Sequence, residues 1–284
     1  MTIDACSLTV LCENSAAPAR DVLGEHGWAV LLESSACNLL FDTGNRTIIA
    51  NSRALGKDLR QLDYIVLSHG HYDHANGLAE VLRDTGPINV MAHPGIFHDR
   101  YSCRGETCTE IGIPHKRSHL EGLGARFHPV TTFTQITTDV YVSGEIPRVT
   151  PFEHPDPHLR IYGDEGCLVP DPVADDQALV LDTVSGLVVI LGCAHSGIIN
   201  TLTHITGNLP GRPLHLVLGG THLGFVEPSQ FTATCQQLAS FAIEHLGTAH
   251  CTGLTNGARL QERFGESVFH ASAGTCLRVP FFLI

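Results

Sequence analysis

The sequence predicts an α/β (α+β) chain in which two β-sheets pack face to face, with helices on the outside. Each half of the chain begins with short apolar runs in pairs, as in strand hairpins, and continues with segments of helical periodicity. With 43% hydrophobic residues among 284, the chain can bury a sizeable core. We therefore expect one sandwich domain over residues 1–284.

The elements of the two halves follow the same order. In the first half, apolar runs predict strands at residues 7–14, 28–33, 38–44, 63–70 and 88–94, and helical patterns cover 46–56 and 76–86. In the second half, strands are predicted at 177–183, 186–195, 214–223 and 247–253, and helices at 197–207 and 232–247. The last helix would carry His245 near its C-terminus, where a histidine commonly stabilises the helix end.

Residues 94–172 separate the two halves and differ from both in composition. They are rich in proline, glycine and charged residues, and no period is evident. Long irregular segments in compact domains are often lids or binding loops. We expect an irregular insertion that covers the site and sets substrate size, with a decorated surface segment as the alternative.

Composition and charge limit the partners and the cellular compartment that we expect for this protein. The net charge is 17 − 29 = −12, which disfavours nucleic acid as a partner. We find neither a signal-peptide pattern at the start nor a long apolar stretch, so we expect a cytoplasmic protein without a membrane partner. In that compartment the 10 cysteines are expected to be reduced. A zinc knuckle at Cys103 and Cys108 is not favoured.

One short loop concentrates the metal-binding side chains. In SHGHYDHANG (68–77), His69 and His71 are two positions apart and would point to one side of an extended segment. Asp73 and His74 follow at the turn into a helix. Nitrogen and carboxylate ligands suit zinc, and also iron or manganese. Because four ligands in six positions would crowd one ion, we expect two divalent ions, zinc first among the candidates.

This loop, His69-x-His71-x-Asp73-His74 after an apolar strand, resembles the signature of metallo-β-lactamase-fold hydrolases. Further matches are LLFDTG (39–44), GEIPR (144–148), LGCAHSGIINTL (191–202), GGTHL (219–223) and HCTG (250–253). They are similar to the branch labelled dihydropterin–ribofuranosyl-aminobenzene-phosphate synthase-like. The resemblance covers most of the chain and implies a four-layer αββα sandwich with the metal site at one edge of the sheets.

The remaining ligands are expected at later strand ends, where loops commonly carry function. His195 and His250 are the candidates, so that His69, His71 and His195 would hold one ion and Asp73, His74 and His250 the other. The resemblance implies a bridging aspartate near Gly192, but Cys193 stands there. Either Cys193 or His195 replaces the bridge, or the bridge is absent.

Three further residues are expected to lie next to the candidate ligands, whereas no role at the site is assigned to the other histidines. Asp42 would lie under the site and accept a ring N–H from a ligating histidine. Cys193 would contact the metals or the substrate, and His222 would be an outer or substrate-side group. The other histidines, among them His26, show no second signal.

The expected function is a metal-dependent hydrolase that uses a metal-activated water on a small ester, lactone or phosphoester. Asp73 is the expected catalytic residue, because it can both bind metal and orient the water. We find no serine-nucleophile or P-loop motif. Alternatives are an iron-dependent oxidoreductase on the same ligands, a pterin-related synthase, and a non-catalytic metal- or ligand-binding protein. The oligomeric state is left open.

Overall fold

The computed structural model describes residues 2–163, 165–280 and 282–283. In these ranges the strands are β1 (Cys6–Cys12), β2 (Ala29–Ser34), β3 (Asn38–Phe41), β4 (Tyr64–Val66), β5 (Ile88–Ala92), β6 (Arg100–Arg104), β7 (Thr107–Glu110), β8 (Ala125–Pro129), β9 (Thr134–Thr137), β10 (Val140–Val142), β11 (Leu159–Tyr162), β12 (Leu168–Pro170), β13 (Leu179–Thr183), β14 (Gly186–Leu191), β15 (Leu214–Gly220), β16 (His245–Ala249), β17 (Val268–His270), β18 (Cys276–Val279) and β19 (Phe282–Leu283). The α-helices are α1 (Ile48–Ala54), α2 (Tyr72–Ala75), α3 (Leu78–Thr85), α4 (Arg117–Gly122), α5 (Ile198–Asn208), α6 (Pro228–Leu238) and α7 (Leu254–Phe264).

Two large sheets are formed within the described residues. Their strand orders are β19-β18-β1-β2-β3-β4-β5-β8 and β17-β16-β15-β14-β13-β10-β9. In the first sheet β3, β4, β5 and β8 run parallel, and in the second β14 to β17 do. Because the carboxyl ends of parallel neighbours lie at one edge of a sheet, the loops that follow them come together there.

The apolar residues form three layers of core, which confirms the predicted four-layer sandwich. Leu8 and Val188 belong to the cluster between the two sheets. Ile48 and Leu82 pack on the outer face of the first sheet, and Leu202 packs on the outer face of the second. All six residues of β14 are buried, since helices cover the face that does not meet the other sheet. This explains why the central strands read as continuous apolar runs.

The middle segment differs from the expectation of irregular structure. Residues 94–172 contain α4 and the strands β6 to β12. β8, β9 and β10 complete the two large sheets, while β6, β7, β11 and β12 form a four-stranded third sheet in the order β12-β11-β6-β7. These strands are short and most of their residues are partly exposed. Their sequences therefore lack the apolar periodicity by which strands are recognised.

The predicted helix at 232–247 was wrong at its end. α6 stops at Leu238, Ala242 adopts a left-handed φ of 48°, and His245 begins β16 instead of ending a helix. The parallel pairing of His245 with Leu216 of β15 decides this. Leu216 lies 29 residues earlier in the chain, so the local sequence pattern around His245 cannot indicate this pairing.

The expectation of reduced cysteines was wrong for one pair. Cys103 and Cys108 lie opposite each other on β6 and β7, with their Cα atoms 4.0 Å apart, and they form a disulfide. The antiparallel register of the hairpin brings them together. The other described cysteines are free thiols, and most are buried. In the described part of the chain no helix combines the length and apolarity needed to span a bilayer.

Candidate metal centre

The histidine loop leaves the end of β4 and passes into α2. His69, His71, Asp73 and His74 are all buried. Gly70 makes this path possible, because a Cβ atom there would lie 2.0 Å from the carbonyl oxygen of Ile96. The loop therefore passes against the chain that follows β5, and only glycine fits at its closest approach.

His69, His71 and His195 form what we name the first set. The Nε2 atom of His69 lies 3.0 Å from Nδ1 of His71, and one ligand atom from each of the three side chains lies within 4.8 Å of the others. His195 Nε2 is buried without a hydrogen-bond partner in the described residues. Burial lowers the pKa of all three imidazoles well below the ordinary value, which keeps them neutral. Neutral imidazole is the form that binds metal.

Asp73, His74 and His250 form the second set, although His250 is far from the loop in sequence. His74 Nε2 lies 3.2 Å from His250 Nε2, and Asp73 Oδ2 lies 3.2 Å from His250 Nε2 and 3.8 Å from His74 Nε2. A tetrahedral zinc ion with bonds of about 2.0–2.1 Å separates neighbouring nitrogen ligands by about 3.3–3.4 Å. The spacing of this set therefore fits one tetrahedral ion.

Electrostatics also favour a cation at the second set. Burial alone would raise the pKa of Asp73, but His74 and His250 outweigh it and hold the carboxyl ionised. Burial also opposes protonation of His74, yet Asp42 and Asp73 raise its pKa to about 9. A metal ion would replace the proton on His74 and supply the positive charge that these buried carboxylates require.

Asp42 contacts a candidate ligand of each set, His74 directly and His69 through Ser68. Its Oδ2 lies 2.7 Å from His74 Nδ1, while its two oxygens accept hydrogen bonds from the backbone N–H and the hydroxyl of Ser68, each at 2.7 Å. Ser68 Oγ in turn lies 2.9 Å from His69 Nδ1. The outer nitrogens of two candidate ligands are thus engaged, which leaves the Nε2 atoms of both rings turned towards the sets.

Replacement of Asp42 by asparagine is expected to weaken metal binding by roughly 10- to 100-fold, the usual cost of losing such an outer carboxylate. Asparagine tolerates the left-handed φ of 59° at this position. Zinc affinity would be measured by competition with a chelator. Asp139→Asn is the matched control, because Asp139 also has a φ of 59° but lies in the turn between β9 and β10. Equal affinity in the two variants would contradict this role of Asp42.

Left-handed backbone is concentrated at the strand ends that carry the site. Asp42, Ala194, His222 and His250 have φ values of 59°, 52°, 54° and 51°. Such conformations cost of order 1–3 kcal/mol each and gather at functional sites when the surroundings hold them in place. For His250 the surroundings are Glu13, which accepts its backbone N–H at 2.7 Å, and Asn14 Oδ1, 2.9 Å from its Nδ1.

Cys193 occupies the place between the two sets. Its Sγ atom lies 3.2 Å from His74 Nε2, and its side chain is buried. Gly192 before it has no room for a Cβ atom, which would lie 2.2 Å from Ser68 Oγ. The close packing of Gly192 on Ser68 therefore brings the loop after β14 directly onto the histidine loop after β4.

His222 lies beside the first set rather than in it. Its ring centroid is 4.4 Å from that of His195, and its Nε2 is 3.3 Å from Asp156 Oδ2. Burial opposes protonation of His222, but the hydrogen bond with Asp156 outweighs it and raises the pKa to about 9. Asp156 comes from the middle segment, so the third-sheet region contributes a charged group to the site.

Three site residues were missed in the sequence. His26 Nε2 lies 3.2 Å from Asp73 Oδ2, on a half-exposed ring that was expected to have no role. Asp156 had no motif around it. Cys251 is buried next to His250, and its position directly after a candidate ligand was the one signal available. By contrast, His245 lies with Glu244 and His215 at the start of β16, away from the site.

Both sets open into one cavity with about 600 Å³ of space, which includes the part open to solvent. Asp73, His71, His195 and His250 lie on its floor. The third sheet and its approaches supply one wall, which consists of Ser102, Arg104, Ile111, Asp156 and Leu159. Phe225 lies against His222 on another side, with ring centroids 4.9 Å apart.

Known proteins share both the sequence pattern and the fold of this chain. Residues 23–199 match the model of the metallo-beta-lactamase superfamily. A protein of Methanocaldococcus jannaschii, named 7,8-dihydropterin-6-methyl-4-(beta-D-ribofuranosyl)-aminobenzene-5'-phosphate synthase, is 26% identical over 97% of each chain. The crystal structure of Tm1679, titled a metal-dependent hydrolase of the beta-lactamase superfamily, is 28% identical with a TM-score of 0.81, over 96% of this chain and 98% of that one.

A zinc-bound structure shares the fold alone. PqqB from Methylobacterium extorquens, solved with Zn(2+), has a TM-score of 0.58 at 14% identity, over 95% of this chain and 99% of that one. The match to the family model and the sandwich described above lead to the same conclusion: this chain belongs to the metallo-beta-lactamase superfamily.

Proposed function

We propose that the protein is a metal-dependent hydrolase of a small ester, lactone or phosphoester. The observation that carries the proposal is the pair of adjacent sets on the floor of one open cavity, the second with ligand spacings that fit one tetrahedral ion. The likeness to Tm1679, whose title names a metal-dependent hydrolase, supports the same reaction class.

The first set would hold one divalent ion and the second set another. Imidazole nitrogens with one carboxylate are ligands that zinc prefers, and iron or manganese also accepts them. When bound, such a pair of ions would lower the pKa of a water molecule and polarise a carbonyl or phosphoryl oxygen.

The protein side chains would position the reactants. Asp73 lines the cavity, and its carboxylate can accept a hydrogen bond from the attacking water and so orient it. His222 and Phe225 form a wall against which the body of the substrate would pack. Asp156 fixes the ring of His222 through its hydrogen bond.

The cavity supports a small molecule as substrate rather than nucleic acid. The side chains that line it form a concave pocket on one chain, and the net charge of −12 opposes binding of a phosphate backbone. Arg104 is the one arginine or lysine among the described residues that line it. We propose that the third sheet acts as the cover of the site and that Arg104 meets a carboxylate or phosphate group of the substrate.

A pterin-related synthase is the second candidate. The specific observation in its favour is the 26% identity to the Methanocaldococcus jannaschii synthase over 97% of both chains. The same metal centre would then assist a condensation, and the substrate would still be small.

One experiment on zinc-loaded protein separates the two candidates. Metal content is measured, and the same sample is assayed on a panel of esters, lactones and phosphoesters and, separately, for condensation products. We expect about two ions per chain and hydrolysis of at least one substrate class. Hydrolysis should stop after chelation and return with zinc. Two bound ions with condensation and no hydrolysis would favour the synthase, whereas a chain that binds no metal would contradict the proposed function.

A further inference from the structure

Two buried thiols lie against the second set. Cys193 Sγ is 3.2 Å from His74 Nε2, and ligand atoms of Cys193, His250 and Cys251 lie within 4.8 Å of one another. Both cysteines are less than 10% exposed, at 3% and 6%. Buried cysteine is ordinarily a small apolar core residue, as Cys235 is on the buried face of α6. Cys193 instead faces imidazole nitrogens.

The surrounding backbone makes room for these sulfur atoms. A Cβ atom on Gly220, at the end of β15, would lie 2.6 Å from Cys251 Sγ and 2.5 Å from the carbonyl oxygen of Gly192. Cys251 Sγ also accepts a hydrogen bond from the backbone N–H of His222 at 3.2 Å. Cys251 is therefore held in place between the loops that follow β14 and β15.

The two thiols make different contacts. In a tetrahedral site with a metal–sulfur bond of about 2.3 Å, sulfur and nitrogen ligands lie about 3.6 Å apart. Cys193 Sγ lies 3.2 Å from His74 Nε2, close to this separation, and would complete a set of four with Asp73, His74 and His250. Cys251 Sγ lies 3.5 Å from the carbonyl oxygen of Cys193 and so contacts the backbone that carries the first thiol.

We propose that the second metal position is a mixed nitrogen–sulfur site. Cys193 is the direct sulfur ligand, and Cys251 is a positioning residue that holds it. This inference rests on the proposed metal centre and adds the class of ion. A thiolate ligand selects thiophilic ions such as zinc and cobalt over magnesium and manganese, which prefer oxygen ligands.

The test uses the full-length protein loaded with cobalt(II), followed by absorption in the near ultraviolet, where sulfur-to-cobalt charge transfer is seen. The wild-type protein should show this band. Cys193→Ser should lose it, and Cys251→Ser should keep it with a shifted maximum. Cys235→Ser is the matched control, since Cys235 is buried in α6 among apolar residues, and its spectrum should equal the wild type. Circular dichroism of each variant shows whether it is folded.

The possible failures are distinguishable. Wild-type protein that binds two cobalt ions without the band overturns the sulfur ligand and leaves the proposed function standing. A band that survives in Cys193→Ser and disappears in Cys251→Ser overturns the assignment of the two roles. A wild-type chain that binds no cobalt overturns the metal centre itself, and the proposed function with it.

Discussion

Replacement of Asp73 by asparagine is expected to lower turnover by about two orders of magnitude or more, which corresponds to about 2.7 kcal/mol in the barrier. Asparagine keeps the size of the side chain but removes the charge that His74 and His250 face at 3.8 and 3.2 Å. Metal content should fall from two ions towards one, because the first set keeps its three nitrogens. The fold should survive, since the loop follows β4 and the side chains of Ile65, Val66 and Leu67 just before it are fully buried.

Metal stoichiometry, turnover and circular dichroism would be measured on one sample. Asp84→Asn is the control, because Asp84 lies on α3 and its ion pair with Arg53 is at the surface. Two ions and unchanged turnover in Asp73→Asn would reject Asp73 as a ligand. Wild-type protein that binds a single ion would reject the premise of two ions. This outcome matters because Cys193 stands where the resemblance implies an aspartate that bridges two ions.

The second large effect is expected at His250, with His245 as its counterpart. His250 follows the end of β16 and meets both Asp73 and His74, whereas His245 begins the same strand. Five residues of strand separate the two by roughly 16 Å. His250→Asn should therefore lose the second ion and most of the turnover, while His245→Asn should retain wild-type metal content.

Asparagine is chosen at residue 250 because His250 has a φ of 51°, where alanine would add strain that has nothing to do with metal. Metal content by elemental analysis and the thermal unfolding midpoint would be compared for both variants. A loss of metal in His245→Asn with full metal in His250→Asn would contradict the site as it is described. It would also require a metal position at the opposite end of β16.

Much of the site could be predicted from local sequence because its central loop is local. The two-residue spacing of His69 and His71 in an extended segment, and Asp73 and His74 in the helical turn that follows, depend on only a few neighbouring residues. The strand pairs β2–β3 and β13–β14 are hairpins of adjacent segments, and their apolar runs identified them. The same runs indicated strand ends, which is how His195 and His250 were selected.

Other features required contacts between distant segments. His26 reaches Asp73 from the loop between β1 and β2, and Asp156 reaches His222 from the middle segment. The third sheet depends on the pairing of β6 with β11, whose partners Ser102 and Leu159 are far apart in the chain. No local pattern records such a partner, because half-exposed strands do not need apolar alternation to pair.

The sequence by itself indicated the family through its resemblance to the superfamily signature, two packed sheets with outer helices through periodicity, and the candidate metal-binding loop through spacing within a few residues. Only the tertiary structure decided that α6 ends before His245, that Cys103 and Cys108 form a disulfide, and that Cys251 lies beside Cys193. The physical reason is the same in all three. Strand pairing and register fix which side chains become neighbours, and the register is decided by the packing of the chain around the strands.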